Sequence, residues 1–138
     1  MKTLLLSLLL VSTLFAITAK EYAPTLNAFT DMDTAYTHAK NEKKEMILLL
    51  VIKDGCHWCE KMVEQTMQDK AVKEALRDTV ILLTDFDSAL SKKFKAEQTP
   101  SLYFIDVKTK KSVYEQVGYE KPGTFMITIM SAFDNLGE

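Results

Sequence analysis

Two cysteines separated by two residues are the side chains of this sequence best suited to covalent chemistry. Cys56 and Cys59 are the only cysteines among its 138 residues, and His57 and Trp58 lie between them. A disulfide that closes so short a loop stabilises a fold little, because the entropic gain grows with loop length. The spacing therefore indicates reversible exchange of thiols and disulfides, and a structural role for the bond is the weaker interpretation.

Zinc binding is the main alternative use of a Cys-x-x-Cys pair. A structural zinc ion takes four ligands, and the chain offers only the two cysteines together with His38 and His57. The two histidines do not form a second ligand pair with the spacing of a zinc site. We therefore predict no metal and no other cofactor, and we interpret His38 as an ordinary surface residue of a helix.

The residues around the cysteines indicate that a buried strand leads into a helix at this point. Met46–Ile52 is a continuous aliphatic run, typical of a central strand. From Cys56 onward, buried-type residues recur every three or four positions, as on one face of a helix. At the helix start, the Cys56 sulfur faces unpaired backbone N–H groups and the positive end of the helix dipole, which favour a thiolate. We predict Cys56 as the nucleophile and Cys59 as the less exposed resolving thiol.

The two residues between the cysteines each allow two interpretations. An imidazolium at His57, beside the nucleophile, would stabilise the thiolate and make the disulfide more oxidising. Alternatively, His57 is exposed and has no role, since neighbouring side chains in a first helical turn point in different directions. Trp58 either contacts the substrate or packs its ring on the domain.

Helix and strand patterns alternate along the rest of the chain. Residues suited to cap a helix are Thr30, Asp69 and Ser88. The remaining strand patterns cover Thr79–Thr84, Leu102–Val107 and Ser112–Gly118, and a final helix begins at Pro122. This order predicts one α/β domain with a mixed central sheet flanked by helices.

The N-terminal residues have the layout of a secretory signal peptide. Met1–Thr3 carries a positive charge, Leu4–Ile17 is almost entirely apolar, and Ala19 is a small residue suited to cleavage. We expect a signal peptide over residues 1–19, a mature domain over residues 20–138, and export to a bacterial periplasm. An uncleaved N-terminal anchor is the alternative.

The overall charge argues against nucleic acid as a partner. Seventeen basic and nineteen acidic side chains give a net charge of −2, and no block of like charges is present that could neutralise a run of phosphates. The hydrophobic fraction of 47% is ordinary for one globular domain. We expect a monomer that does not bind nucleic acid.

Three features together resemble the thioredoxin superfamily. They are the strand Met46–Ile52 leading into Cys56-His57-Trp58-Cys59, the segment Thr99–Phe104, and Gly118-Tyr119 before the last helix. The resemblance covers nearly the whole mature chain and implies the thioredoxin fold. It also implies that Pro100 is cis and lies beside the nucleophilic sulfur, and that Thr99, Pro100 and Trp58 contact the substrate.

The small periplasmic oxidoreductases of the SoxW, TlpA and DsbD C-terminal-domain types are the members that this chain is most similar to in size. The resemblance implies an enzyme acting on protein thiols and disulfides, with a membrane protein as electron donor or acceptor, and it slightly favours the reductase direction. A thiol oxidant and a binding module without turnover remain alternatives. One position departs from the family pattern: Leu50 stands where thioredoxins bury an acid beneath the cysteines.

Overall fold

A four-stranded mixed sheet lies at the centre of the computed structural model, which describes residues 18–137. In chain order, the elements are α1 (Ala19–Leu26), α2 (Met32–Asn41), β1 (Met46–Ile52), α3 (His57–Lys61), a π-helical segment (Met62–Thr66), α4 (Lys70–Ala75), β2 (Thr79–Asp85), α5 (Ala89–Lys93), β3 (Ser101–Asp106), β4 (Ser112–Val117) and α6 (Pro122–Asp134). The strand order is β2-β1-β3-β4. Strand β1 runs parallel to β2 and antiparallel to β3, and β3 and β4 are antiparallel. The predicted thioredoxin fold, a mixed sheet flanked by helices, is confirmed.

Strand β1 is buried on both faces, which explains its unbroken aliphatic sequence. Alternate side chains point to opposite sides of the sheet. One set packs with α1, α3, α4 and α6: Met46, Leu48, Leu50 and Ile52. The other packs with α2 and with partly buried residues of α5: Ile47, Leu49 and Val51. The strand that leads to the cysteines is therefore anchored in two hydrophobic clusters.

Local capping signals mostly predict where the helices begin. Asp69 and Ser88 are the N-caps of α4 and α5, as the sequence indicates. The prediction of Thr30 as the cap of α2 is wrong by one residue. Asp31 is the cap, because its carboxylate accepts the backbone N–H of Thr34 at 2.8 Å. The side-chain and backbone hydrogen bonds from Thr34 also lower the pKa of Asp31.

Helix α1 is not predicted by the sequence pattern. Pro24 lies inside it and lacks the backbone N–H that helical hydrogen bonds require, so the sequence pattern does not indicate a helix. Its N-cap, Thr18, and its first residue, Ala19, belong to the expected signal peptide. The remainder of that expected segment, residues 1–17, lies outside the described residues. Among residues 18–137, no helix is long and apolar enough to cross a membrane.

A buried carboxylate holds the turn that joins β3 to β4 and ties it to the C-terminus. Asp106 is only 3% exposed. Its oxygens accept backbone N–H groups from Lys108 at 2.7 Å, Thr109 at 3.4 Å and Gly137 at 3.3 Å. Burial alone raises the pKa of Asp106, but these hydrogen bonds outweigh it and lower the pKa.

We expect Asp106→Ala to lower the free energy of unfolding by about 2 kcal/mol at pH 7, because buried N–H groups lose their acceptor. Since the folded pKa of Asp106 is lowered, the stabilising ionised form is present above the usual carboxyl range. It is lost as the pH falls below about 4 and passes through the folded value. Urea unfolding from pH 7 to pH 2 checks this. A difference between the two proteins that stays constant down to pH 2 would contradict it.

Candidate active site

The two cysteines lie at the junction between β1 and α3. Gly55 has φ of 71°, a left-handed conformation that glycine adopts without steric penalty, and it turns the chain after the strand. Cys56 is the N-cap of α3, and it forms a disulfide with Cys59, whose Cα atom lies 5.2 Å from its own. The predicted position of the pair at a helix start is therefore what the structure shows.

The two sulfur-bearing residues differ in burial. Cys59 is fully buried and belongs to the hydrophobic cluster that contains Leu50 and Met62, whereas Cys56 is only partly buried. The Cys56 Sγ accepts the backbone N–H of Cys59 at 3.2 Å and the hydroxyl O–H of Thr99 at 3.4 Å. Hydrogen bonds to a sulfur favour its charged form when the disulfide is reduced. The geometry therefore makes Cys56 the sulfur that a partner can reach.

Thr99 and Pro100 approach the disulfide from the start of β3. The Thr99–Pro100 peptide bond is cis, the form that the thioredoxin resemblance implies. The carbonyl of Pro100 accepts the backbone N–H of Gly118 at 2.8 Å, which joins this segment to the end of β4. Of the two predicted substrate-contacting residues, Thr99 contacts the Cys56 sulfur, and Pro100 follows it and is buried. That they contact a substrate stays a prediction.

Trp58 is both exposed and packed, so its two interpretations are not exclusive. Its side chain is 51% exposed, and its ring stacks on Tyr119 with a centroid distance of 5.3 Å and an interplanar angle of 25°. The Lys61 Nζ lies 5.3 Å from the centre of the same indole ring, and the His57 ring lies at the same distance on a tilted plane. Trp58 and Tyr119 together form an aromatic platform beside the disulfide.

Tyr119 is the residue of this platform that the sequence did not identify as part of the site. Gly118-Tyr119 carried the family resemblance, but nothing in the spacing of Trp58 and Tyr119 indicates that their rings stack. His57 is exposed and contacts Trp58, and no hydrogen bond from it to Cys56 is present among the described residues. Its predicted influence on the thiolate stays a prediction.

No acid lies at position 50 beneath the cysteines. Leu50 is fully buried in the same cluster as Cys59. Among residues 18–137, no group of three or more His, Cys, Asp or Glu side chains is arranged to hold a metal ion. The chemistry that the site supports is exchange between sulfur atoms.

The Thr99 hydroxyl gives a test of the hydrogen bonds to the Cys56 sulfur. In the reduced protein, Thr99→Val removes one O–H donor at nearly constant side-chain volume, so less of Cys56 is thiolate. We expect alkylation of Cys56 at pH 7 to slow about threefold, measured by iodoacetamide labelling and mass spectrometry. Thr99→Ser keeps the donor and is the matched control. Because Thr99→Ser keeps the O–H donor, equal slowing in both variants would show that loss of the hydrogen bond to Cys56 is not the cause.

This fold and this site define a thioredoxin-like oxidoreductase with a Cys-x-x-Cys disulfide. Residues 32–132 match the family model described as the thioredoxin-like domain. Since the match covers most of the chain, the protein belongs to the thioredoxin-like domain family.

Solved structures with the same fold include both thioredoxins and Dsb proteins. A thioredoxin from Thermus thermophilus has a TM-score of 0.69 and 17% identity, with 80% of this chain and 89% of that chain covered. The reduced DsbD C-terminal domain from Neisseria meningitidis has a TM-score of 0.63 and 17% identity, covering 75% and 98%. A DsbH oxidoreductase has a TM-score of 0.58 and 21% identity, covering 77% and 83%. No curated protein sequence matches the chain.

Proposed function

We propose that this protein is an exported enzyme that exchanges disulfides with protein substrates and works mainly as a reductase. The observation that carries the proposal is the unequal burial of the two sulfur-bearing residues. Cys56 is partly buried beside Thr99, whereas Cys59 is fully buried. A dithiol enzyme needs this arrangement, with one sulfur that meets the substrate and a second within reach of the first.

In the reductive direction, the Cys56 thiolate attacks one sulfur of a substrate disulfide. A mixed disulfide forms, and the other substrate sulfur leaves as a thiolate that takes up a proton. Cys59 then loses its proton and attacks the Cys56 sulfur, which releases the second substrate thiol. The substrate gains two electrons, and the enzyme is left with the Cys56–Cys59 disulfide.

The aromatic platform supports a polypeptide as substrate. A half-exposed indole that is stacked on a second ring offers a large apolar contact with little loss of conformational entropy on binding. The hydroxyl of the partly buried Thr99 contacts the Cys56 sulfur at 3.4 Å, so a polypeptide that reaches this sulfur would pass close to Thr99.

The proposed reductive direction of electron flow rests on the small size of the chain and on the fold that it shares with thioredoxins and a DsbD C-terminal domain. Thioredoxins and a DsbD C-terminal domain share the fold. A reductase in the periplasm requires electrons from a membrane partner, because that compartment is kept oxidising. An imidazolium at His57 would act in the opposite sense and favour an oxidant.

Equilibration of the purified protein with reduced and oxidised glutathione tests the direction. We expect the Cys56–Cys59 disulfide to stay oxidised at ratios of reduced to oxidised glutathione that would reduce the disulfide of a strong oxidant. This result corresponds to a reduction potential near the thioredoxin value of about −270 mV. A potential near the DsbA value of about −120 mV would establish an oxidant instead. A separate assay tests for turnover. If the wild-type protein reduces insulin no faster than Cys56→Ser does, a binding module without turnover is favoured.

A further inference from the structure

The first described residues are held by specific hydrogen bonds and form part of the fold. The hydroxyl of Thr18 accepts the N–H of Glu21 at 3.3 Å, and the Glu21 carboxylate accepts the N–H of Thr18 at 3.2 Å. This reciprocal pair is a capping box, which stabilises the start of α1. Ala19 follows it and is 3% exposed.

Two long-range contacts then tie α1 to the elements around the active site. The backbone N–H of Ala19 donates to the Asp85 carboxylate at 2.8 Å, at the end of β2. The hydroxyl of Tyr22 donates to Glu64 at 2.9 Å, in the π-helical segment that follows the cysteines. Burial and this hydrogen bond raise the pKa of Tyr22 to about 12. Helix α1 is therefore fixed to both β2 and the cysteine-bearing helical region.

Two positions in the sequence satisfy the requirement for a small residue before a cleavage site equally well. Cleavage after Ala19 places Ile17 three residues before the cut, and cleavage after Ala16 places Leu14 there. In both cases, the residue at the cut is alanine and the residue two positions earlier is large and aliphatic. The sequence pattern alone does not separate these two sites.

We propose that the signal peptide is removed between Ala16 and Ile17, so that the mature protein keeps Thr18 and Ala19. The inference rests on the export that is part of the proposed function. Cleavage after Ala19 would delete the capping box and leave the Asp85 carboxylate without its N–H donor. It would also place the new α-ammonium group at the positive end of the α1 dipole, where a positive charge is unfavourable.

Export of the full chain in a Gram-negative host, followed by N-terminal sequencing and intact-mass measurement of the periplasmic protein, tests the site. We expect a mature protein that begins at Ile17. A protein that begins at Ala19 or Lys20 would overturn the cleavage site and leave the proposed export standing. A protein that retains Met1 would overturn both the cleavage site and the proposed export. Insulin reduction by the same purified protein tests the redox function separately.

A pair of variants in the full chain distinguishes the two sites through the processing step itself. A large residue at the position before the cut blocks cleavage, so we expect Ala16→Leu to accumulate the precursor in a short radioactive pulse. Ala19→Leu is the matched control and should be processed at the wild-type rate. Because the pulse reports cleavage before degradation, a folding defect in Ala19→Leu does not obscure the result. Block by Ala19→Leu and normal processing of Ala16→Leu would overturn the proposal.

Discussion

Cys59→Ser is expected to accumulate a covalent complex between Cys56 and a substrate protein. Without the buried thiol, the mixed disulfide formed by Cys56 has no internal group to resolve it. Insulin reduction should fall to the uncatalysed rate, because each enzyme molecule stops after its first attack. Non-reducing gels of extracts from cells that produce the variant, with mass spectrometry of the shifted bands, measure the complexes.

Cys56→Ser provides the matched control for this experiment. It also abolishes turnover, but it leaves only the buried sulfur of Cys59, which a substrate cannot reach. We therefore expect no shifted bands from this variant. Faster alkylation of Cys59 in Cys56→Ser than of Cys56 in Cys59→Ser, at neutral pH, would reverse the assignment of nucleophile and resolving thiol.

Leu50→Asp is expected to cause the largest loss of stability among the changes considered for this site. Leu50 is fully buried in the cluster that contains Cys59, and an ionised carboxylate there loses its hydration. We expect the free energy of unfolding to fall by about 4 kcal/mol at pH 8. Burial raises the pKa of the introduced carboxyl in the folded state.

The pH dependence of this loss follows from the raised pKa. As the pH falls from 8 to 5, the folded state takes up a proton that the unfolded state, whose carboxyl has a pKa near 3.9, does not bind. Stability relative to the wild type therefore recovers on acidification and declines again as the pH rises. Leu50→Asn has nearly the same shape without the charge, and its loss of stability should not vary with pH. Urea unfolding at several pH values between 5 and 8 measures both variants. If their free energies of unfolding differ by the same amount at every pH, the expected burial of the carboxylate is contradicted.

Much of the fold can be predicted from the sequence because its determinants are local. The run Met46–Ile52 is aliphatic at every position, and a strand buried on both faces is the element that this pattern fits. Asp69 and Ser88 cap helices through hydrogen bonds to N–H groups within the next three residues. The position of Cys56 at a helix start depends on the same short-range information.

The predictions that were wrong or missing concern alternatives that differ little in local energy. Thr30 and Asp31 are neighbours with capping side chains, and the choice of Asp31 depends on which of them meets the N–H of Thr34. The π-helical segment Met62–Thr66 was not predicted, because apolar residues spaced by three and four fit an α-helix as well. Helix α1 was not predicted, because it contains Pro24 and begins at the end of the apolar N-terminal run.

The sequence by itself determined the chemistry, and the tertiary structure decided what surrounds the reactive sulfur. Two cysteines at this spacing and at a helix start indicate thiol-disulfide exchange without knowledge of distant contacts. The approach of Thr99 to Cys56, 43 residues earlier, requires that β1 and β3 pair with Val51 opposite Ser101. The stacking of Tyr119 on Trp58 likewise depends on where the chain leaves β4. Such contacts depend on the register of the sheet and the packing of the core, which no short stretch of sequence specifies.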